Sequence, residues 1–297
     1  MYVDTADPLA IILVVSLTGL VIATVLPVGL ISYHRAASDR NVAWLAGGAI
    51  PGPHEAGVYR SYLTRHARSR LIGCLAALVV CLVAAVRWQV ASAPTQYAVS
   101  VGVGPAPLAG NLLAWGLGGT VLGNLFAESY RLPRRGAVRH ALLESRASRP
   151  LKAVTATAWA AGAVAVVGAA SVWVLLGDTG GLPGAAFGLL VIALAEATHR
   201  AIINRPRPVS GIAVRVDSRL RRQSDAGLAW LQLAGAGLGI AMTLGNLAFS
   251  TWPPMTQVTL WIVTWTALIV AIIGIFRSGI RPPRRWPVPI PQAVDLA

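Results

Sequence analysis

Residues 226–276 read AGLAWLQLAGAGLGIAMTLGNLAFSTWPPMTQVTLWIVTWTALIVAIIGIF, 51 consecutive positions without a charge or a histidine. The hydrocarbon core of a bilayer is about 30 Å thick and takes about 20 apolar residues of helix. The stretch is thus too long for one span and too apolar for the core of a soluble domain. It carries its own division at Ser250-Thr251-Trp252-Pro253-Pro254. Paired prolines remove helix hydrogen bonds and clash with the preceding turn, and an irregular turn exposed to lipid would leave backbone groups unpaired. The turn therefore belongs at a membrane surface, with one helix at Gly227–Phe249 and another at Val258–Phe276.

The rest of the chain repeats the pattern. There are 26 uncharged residues between Asp7 and His34, and 25 between Lys152 and Asp178. Over all 297 residues, 55% are hydrophobic and 12% charged, about half the charged share of an average soluble domain. The expected fold is all-α, a polytopic helical bundle forming a single membrane domain over 1–297. Seven spans are expected, at about 9–32, 71–90, 108–127, 153–176, 182–203, 227–249 and 258–276. A soluble enzyme, a disulfide-built secreted fold and a disordered chain are excluded.

The 25 basic residues orient the bundle. Segments 33–70, 128–152 and 199–225 carry six, seven and seven, the tail from Arg277 carries four, and Arg87 stands alone on the other side. The opposite connections, Ala91–Pro107, Gly177–Gly181 and Ser250–Thr256, hold none. By the positive-inside rule the N-terminus lies outside, and loops 33–70, 128–152 and 204–226 and the tail 277–297 lie in the cytoplasm. The predicted setting is the plasma membrane, with anionic inner-leaflet lipids beside the basic face. The start lacks the basic region of a cleaved signal peptide, and its apolar run is too long for one.

All but one of the basic residues are arginine, a side chain that binds phosphate through two parallel hydrogen bonds. A chain rich in Ala, Gly, Val and Pro, as a GC-rich coding sequence gives, acquires the same bias without function. Val58–Arg70, Ala137–Arg149 and Ile212–Arg222 are short enough to be interfacial helices. Cys74 and Cys81 lie two turns apart on one helix, too far for a bond between them.

Helix exits resemble one another. Phe126-Ala-Glu-Ser-Tyr-Arg131-Leu-Pro133-Arg134-Arg135 and Phe276-Arg-Ser-Gly-Ile-Arg281-Pro-Pro283-Arg284-Arg285 share the spacing F-x4-R-x-P-R-R. Ala195-Glu196 echoes Ala127-Glu128, and Arg205-Pro206-Arg207 follows the fifth helix. V-R-x6-R-x-S occurs at Val138–Ser148 and Val214–Ser224. One decomposition is a leading helix and three hairpins. The other, three helices, a linker and three more, resembles in topology the seven-helix sugar transporters built from parallel repeats. Their proline-glutamine motif is missing from the helices, so no family is assigned. Arginine anchors and proline stops at helix exits give short matches without duplication.

Candidate gate residues follow from cost. Ionisable groups in spans are expensive and usually functional, which singles out Glu128 and Glu196 at helix ends, His199 one turn after Glu196, and Arg87. The competing reading is anchoring: Glu196 and Arg200 have the i,i+4 spacing of a helix-surface ion pair, Glu128 has Arg131 within a turn, and Arg87 beside Trp88 snorkels. Arg131, Arg134, Arg135, Arg205, Arg207, Arg281, Arg284 and Arg285 are the candidates for an anionic ligand or lipid. Gly119-x3-Gly123, Gly184-x3-Gly188 and Gly235-x3-Gly239 put pairs of glycines on one face, and Asn111, Asn124, Gln232, Asn246, Thr259, Thr264 and Thr266 offer bonds between helices.

No catalytic residue, metal site or cofactor is expected. A single E-x-x-H step is a quarter of a di-metal set, and H-E-x-x-H, C-x-x-C, G-x-S-x-G and the Walker pattern are missing. Nucleic-acid binding is not expected without stacking aromatics beside the arginines. The function class expected is a transporter, or the membrane subunit of a transport or assembly complex, with room for a cytoplasmic protein partner and for oligomerisation. The alternatives are an enzyme acting on a phosphorylated lipid at the inner leaflet, and a scaffold or sensor working by protein contact.

Overall fold

The computed structural model describes residues 16, 19, 22–23, 26–27, 29–48, 50–92, 105–129, 149–204, 211–245 and 253–279, with backbone alone at 85–92, 105–111, 149–150 and 211–212. Among these, every regular element is a helix: α1 (29–36), α2 (Asp39–Leu45), α3 (Pro53–Ser92), α4 (Pro105–Ser129), α5 (Arg149–Leu176), α6 (Leu182–Ile203), α7 (Gly211–Gly245) and α8 (Pro254–Ser278). Stretches within α3, α5, α6, α7 and α8 are long and apolar enough to cross a membrane. Most of the expected first span lies outside the described residues.

Burial sorts these helices into one centre and a periphery. In α7, 72% of the apolar stretch is buried, against 11–28% in the other four. Leu228, Leu231, Ala234 and Leu238 of α7 meet Val121 of α4, Val191 of α6 and Ala271 of α8. The outward faces are bare hydrocarbon, as at Val164, Val174, Leu175, Met255 and Ile262, each more than 60% exposed. Water would penalise so large an apolar surface, whereas lipid tails would solvate it.

The glycine pairs explain how the helices approach. Gly119 and Gly123 of α4 lie against Ser69–Gly73 of α3, backbone on backbone, so a Cβ at any of the three glycines would overlap a carbonyl. Gly184 and Gly188 of α6 meet α7 in the same way, with Gly188 set against Gly239. The expected threonine bonds between helices are not formed. Thr259, Thr264 and Thr266 donate to the carbonyls of Met255, Leu260 and Ile262, one turn back on their own helix, where a hydroxyl always finds an acceptor.

Two of the three expected interfacial helices are not separate elements. Val58–Arg70 is continuous with the second span in the 40-residue α3, and Ile212–Arg222 with the sixth in the 35-residue α7. These rods are about 60 Å and 52 Å long, well beyond a bilayer core. No proline interrupts either after its first residue, and extending a formed helix is cheaper than starting another. Of the third segment, only Arg149 falls among the described residues.

The overhanging turns build a small core of their own. Val42 and Leu45 of α2 pack with Tyr59, Tyr62 and Leu63 of α3 and Val216 and Leu220 of α7. The chain leaves α2 through Gly47 and Gly48, at φ 79° and 92°, with Gly48 N–H bonded to the Ala43 carbonyl and Gly47 N–H to that of Trp44. Only glycine takes two successive left-handed positions without strain. The Arg219 guanidinium donates to the carbonyl of Ala46 at the same helix end.

Arg221 performs the corresponding task for α6. It is 8% exposed, pairs with Asp217 at 2.6 Å and donates to the Ile202 carbonyl at 2.7 Å, adding to the backbone bonds that Asn204 makes at the same helix end. Arg221→Met should cost about 1–3 kcal/mol, since it strands a buried acceptor and a carboxylate together. Asp39→Asn, which breaks the exposed Arg60–Asp39 pair, should cost well under 1 kcal/mol. Thermal unfolding of the two variants in detergent checks the contrast.

Candidate functional site

Tyr62, His66 and Arg70 recur every four residues, so α3 presents them on one face. That face meets the C-terminal turns of α4 and α8 and the middle of α7. Glu128, 5% exposed, lies at the centre of the meeting. Its Oε1 accepts a hydrogen bond from the Tyr62 hydroxyl at 2.8 Å and its Oε2 accepts one from Ser224 at 2.9 Å. His66 Nε2 is 3.3 Å from Oε1, within ion-pair range but making no hydrogen bond.

A second layer holds the histidine. Asn124 Oδ1 lies 2.9 Å from His66 Nδ1 and accepts from Arg70 Nε at 2.8 Å, while its amide nitrogen donates to Ser278 Oγ at 3.1 Å. Ser278 in turn donates to the Ile275 carbonyl. These partners fix the amide orientation, and a carbonyl oxygen can only accept, so His66 Nδ1 is the donor. Nε2 is left facing the carboxylate.

Beside this network is a cavity of about 690 Å³, with Tyr33, Arg35, Asn41, His66, Arg70 and Glu128 in its walls. Its size suits a small ligand, and its polar groups converge from separate elements. The two F-x4-R-x-P-R-R matches meet here: Glu128 and Ser278 each stand two positions after the motif's phenylalanine, and both belong to the network. The motifs' arginines, Arg131, Arg134, Arg135, Arg281, Arg284 and Arg285, lie outside the described residues, as do Arg205 and Arg207.

Glu128 is buried among groups from α3 and α7, and the arginine expected to anchor it, Arg131, lies outside the described residues. Glu196 does form the i,i+4 pair with Arg200, at 2.9 Å, and accepts from Gln232 Nε2 at 3.3 Å. His199 lies 3.2 Å from Asp225 Oδ1 and belongs with Glu196 to a separate cavity between α5, α6 and α7. Position 87 is helical, but its side chain lies outside the described residues. Cys74 and Cys81 are free thiols, and Cys81 packs against Leu78 and Leu112. Among the described residues no group of three His, Cys, Asp or Glu side chains is placed to hold a metal ion.

Comparison with protein-family models, with curated proteins and with solved structures gives no match for this chain. The long apolar helices are consistent with a membrane protein.

Proposed function

We propose that the protein is a seven-span plasma-membrane transport protein, N-terminus outside and C-terminus cytoplasmic, that admits a small polar solute at the Glu128 cavity. The observation that carries this is the buried carboxylate tying α3, α4 and α7 together beside a cavity large enough for a metabolite. Such a group is costly in a bundle interior and is retained where charge must be bound or moved. Arg35 and Arg70 in the same walls favour a solute bearing a carboxylate or phosphate. Movement would come from rocking α3–α4 against α7–α8, the two hairpins the network bridges.

Two experiments test the proposal. Purified protein is screened for stabilisation by acetate, succinate, phosphate and glycerol phosphate, and the best binder, radiolabelled, is offered to proteoliposomes. Uptake above protein-free vesicles is expected, and none for any of the four overturns the assigned solute class. For topology, a green fluorescent reporter at the C-terminus should fluoresce, and alkaline phosphatase at the same place should be inactive. The reverse pattern overturns the orientation.

The overhanging ends of α3 and α7 favour a second reading, a membrane subunit of a larger assembly. With α2 they form a folded platform bearing Arg60, Arg65, Arg215 and Arg222, a surface suited to an acidic protein partner. Co-purification of a soluble protein that is lost on charge reversal of these arginines would support it.

A further inference from the structure

The cavity beside Glu128 changes character along its length. On α3 its wall runs from Tyr62 to Cys74, a length of helix of about 18 Å. The end nearer α2 is polar, with Arg35, Asn41, His66, Glu128 and Gln223. The opposite end is formed by Gly29, Leu71, Cys74, Thr120 and Leu231. The Thr120 hydroxyl there donates to the Gly116 carbonyl of its own helix at 2.9 Å, so aliphatic and thiol groups dominate. Beyond Cys74 the floor is closed by Leu78 and Leu112, each 1% exposed. A ligand polar throughout would find few partners in this deeper half, and a desolvated polar group without a partner is costly.

We infer that the ligand of this cavity is an amphipathic organic anion, its charged head toward Arg35 and Arg70 and a short apolar tail against Leu71, Cys74 and Leu231. Arg70 donates to Asn124 Oδ1 at 2.8 Å and to the Ser278 carbonyl at 3.3 Å, neutral oxygens that fix the direction of its guanidinium. Two arginines against the one carboxylate of Glu128 leave the polar end net positive, which suits an anionic head. The apolar end then contributes what such pockets usually contribute, burial of hydrocarbon with the few polar groups setting orientation. The floor at Leu78 and Leu112 holds the tail to a few carbons, shorter than a membrane lipid's. This inference rests on the Glu128 cavity being the solute site and narrows the solute to one with a tail.

The test uses the full chain in detergent. Its thermal midpoint is followed against the concentration of acetate, butanoate and hexanoate at constant ionic strength, with hexanol as the uncharged tail. The half-saturating concentration should fall about threefold for each methylene added to the acid. Hexanol should give no saturable rise. Equal half-saturation by acetate and hexanoate overturns the tail and leaves the anion site standing. A rise with hexanol equal to that with hexanoate overturns the charged head. No rise with any of the acids overturns this inference together with the solute reading beneath it. Leu71→Asn sets an amide in the apolar end and should erase the gain with chain length while acetate binds as before. Should that variant not fold, Cys74→Ser replaces the thiol by a more polar hydroxyl of similar size and should weaken hexanoate relative to acetate. An unchanged ratio of the two acids in the variant that folds also overturns the tail site.

Discussion

Glu128→Ala should abolish solute uptake in proteoliposomes and lower the thermal midpoint by several degrees. The truncation removes the acceptor of two buried hydroxyls, Tyr62 and Ser224, and the counter-charge beside His66. Leaving buried hydroxyl donors without their acceptor costs about 1–3 kcal/mol each. Stability and transport separate in Glu128→Gln. The amide keeps one acceptor for Tyr62, and the Ser224 hydroxyl can rotate to accept from its nitrogen, so most of the folding energy is kept while the charge is gone. Uptake should fall to background although the midpoint stays near wild type. A Glu128→Gln protein that transports normally would reduce the carboxylate to a structural tie.

Gly119→Val should have the larger effect on folding. A Cβ at position 119 overlaps the Gly73 carbonyl oxygen and Ala77 Cβ, so a main chain would have to move, and Gly123 sits as tightly on Ser69. Ordinary overpacking costs about 1–3 kcal/mol because side chains yield. Here the two helices must part, and the loss should exceed that range. The displacement also carries Asn124 away from His66 and Arg70. The expected readout is a collapse of the monodisperse fraction on size-exclusion chromatography. Gly168→Ala is the control: nothing lies within 4 Å of its would-be Cβ on α5, and alanine favours a helix by about 1 kcal/mol, so this variant should be at least as stable as wild type.

Five long apolar helices were legible because lipid imposes a simple rule, length without charge, and Leu182–Ile203 appears in the structure with the bounds read from its hydropathy. Helix-to-helix contact by Gly-x3-Gly was legible for the same reason, since few residues permit close approach. The overhangs were not. Arginines beside a span read equally well as a loop, an interfacial helix or a continued rod, and only packing against α2 decides among them. That ambiguity hid the site. Tyr62, His66 and Arg70 fall in Val58–Arg70, which reads as a separate interfacial helix, and only its continuity with the next span turns their four-residue spacing toward α4 and α7. Glu128 was found by its cost, but its partners come from residues 62, 66 and 224, and no periodicity links positions so far apart.

Tyr62 has two allegiances. Its ring belongs to the small core outside the main bundle, and its hydroxyl holds the Glu128 carboxylate. One side chain is thus a keystone shared by two arches. Loosening α2, through Leu45→Ala or a clamp on its arginine-bearing surface, would unseat the aromatic ring and with it a hydrogen bond that α2 never touches. Anything that grips the platform acquires leverage over the chamber beneath.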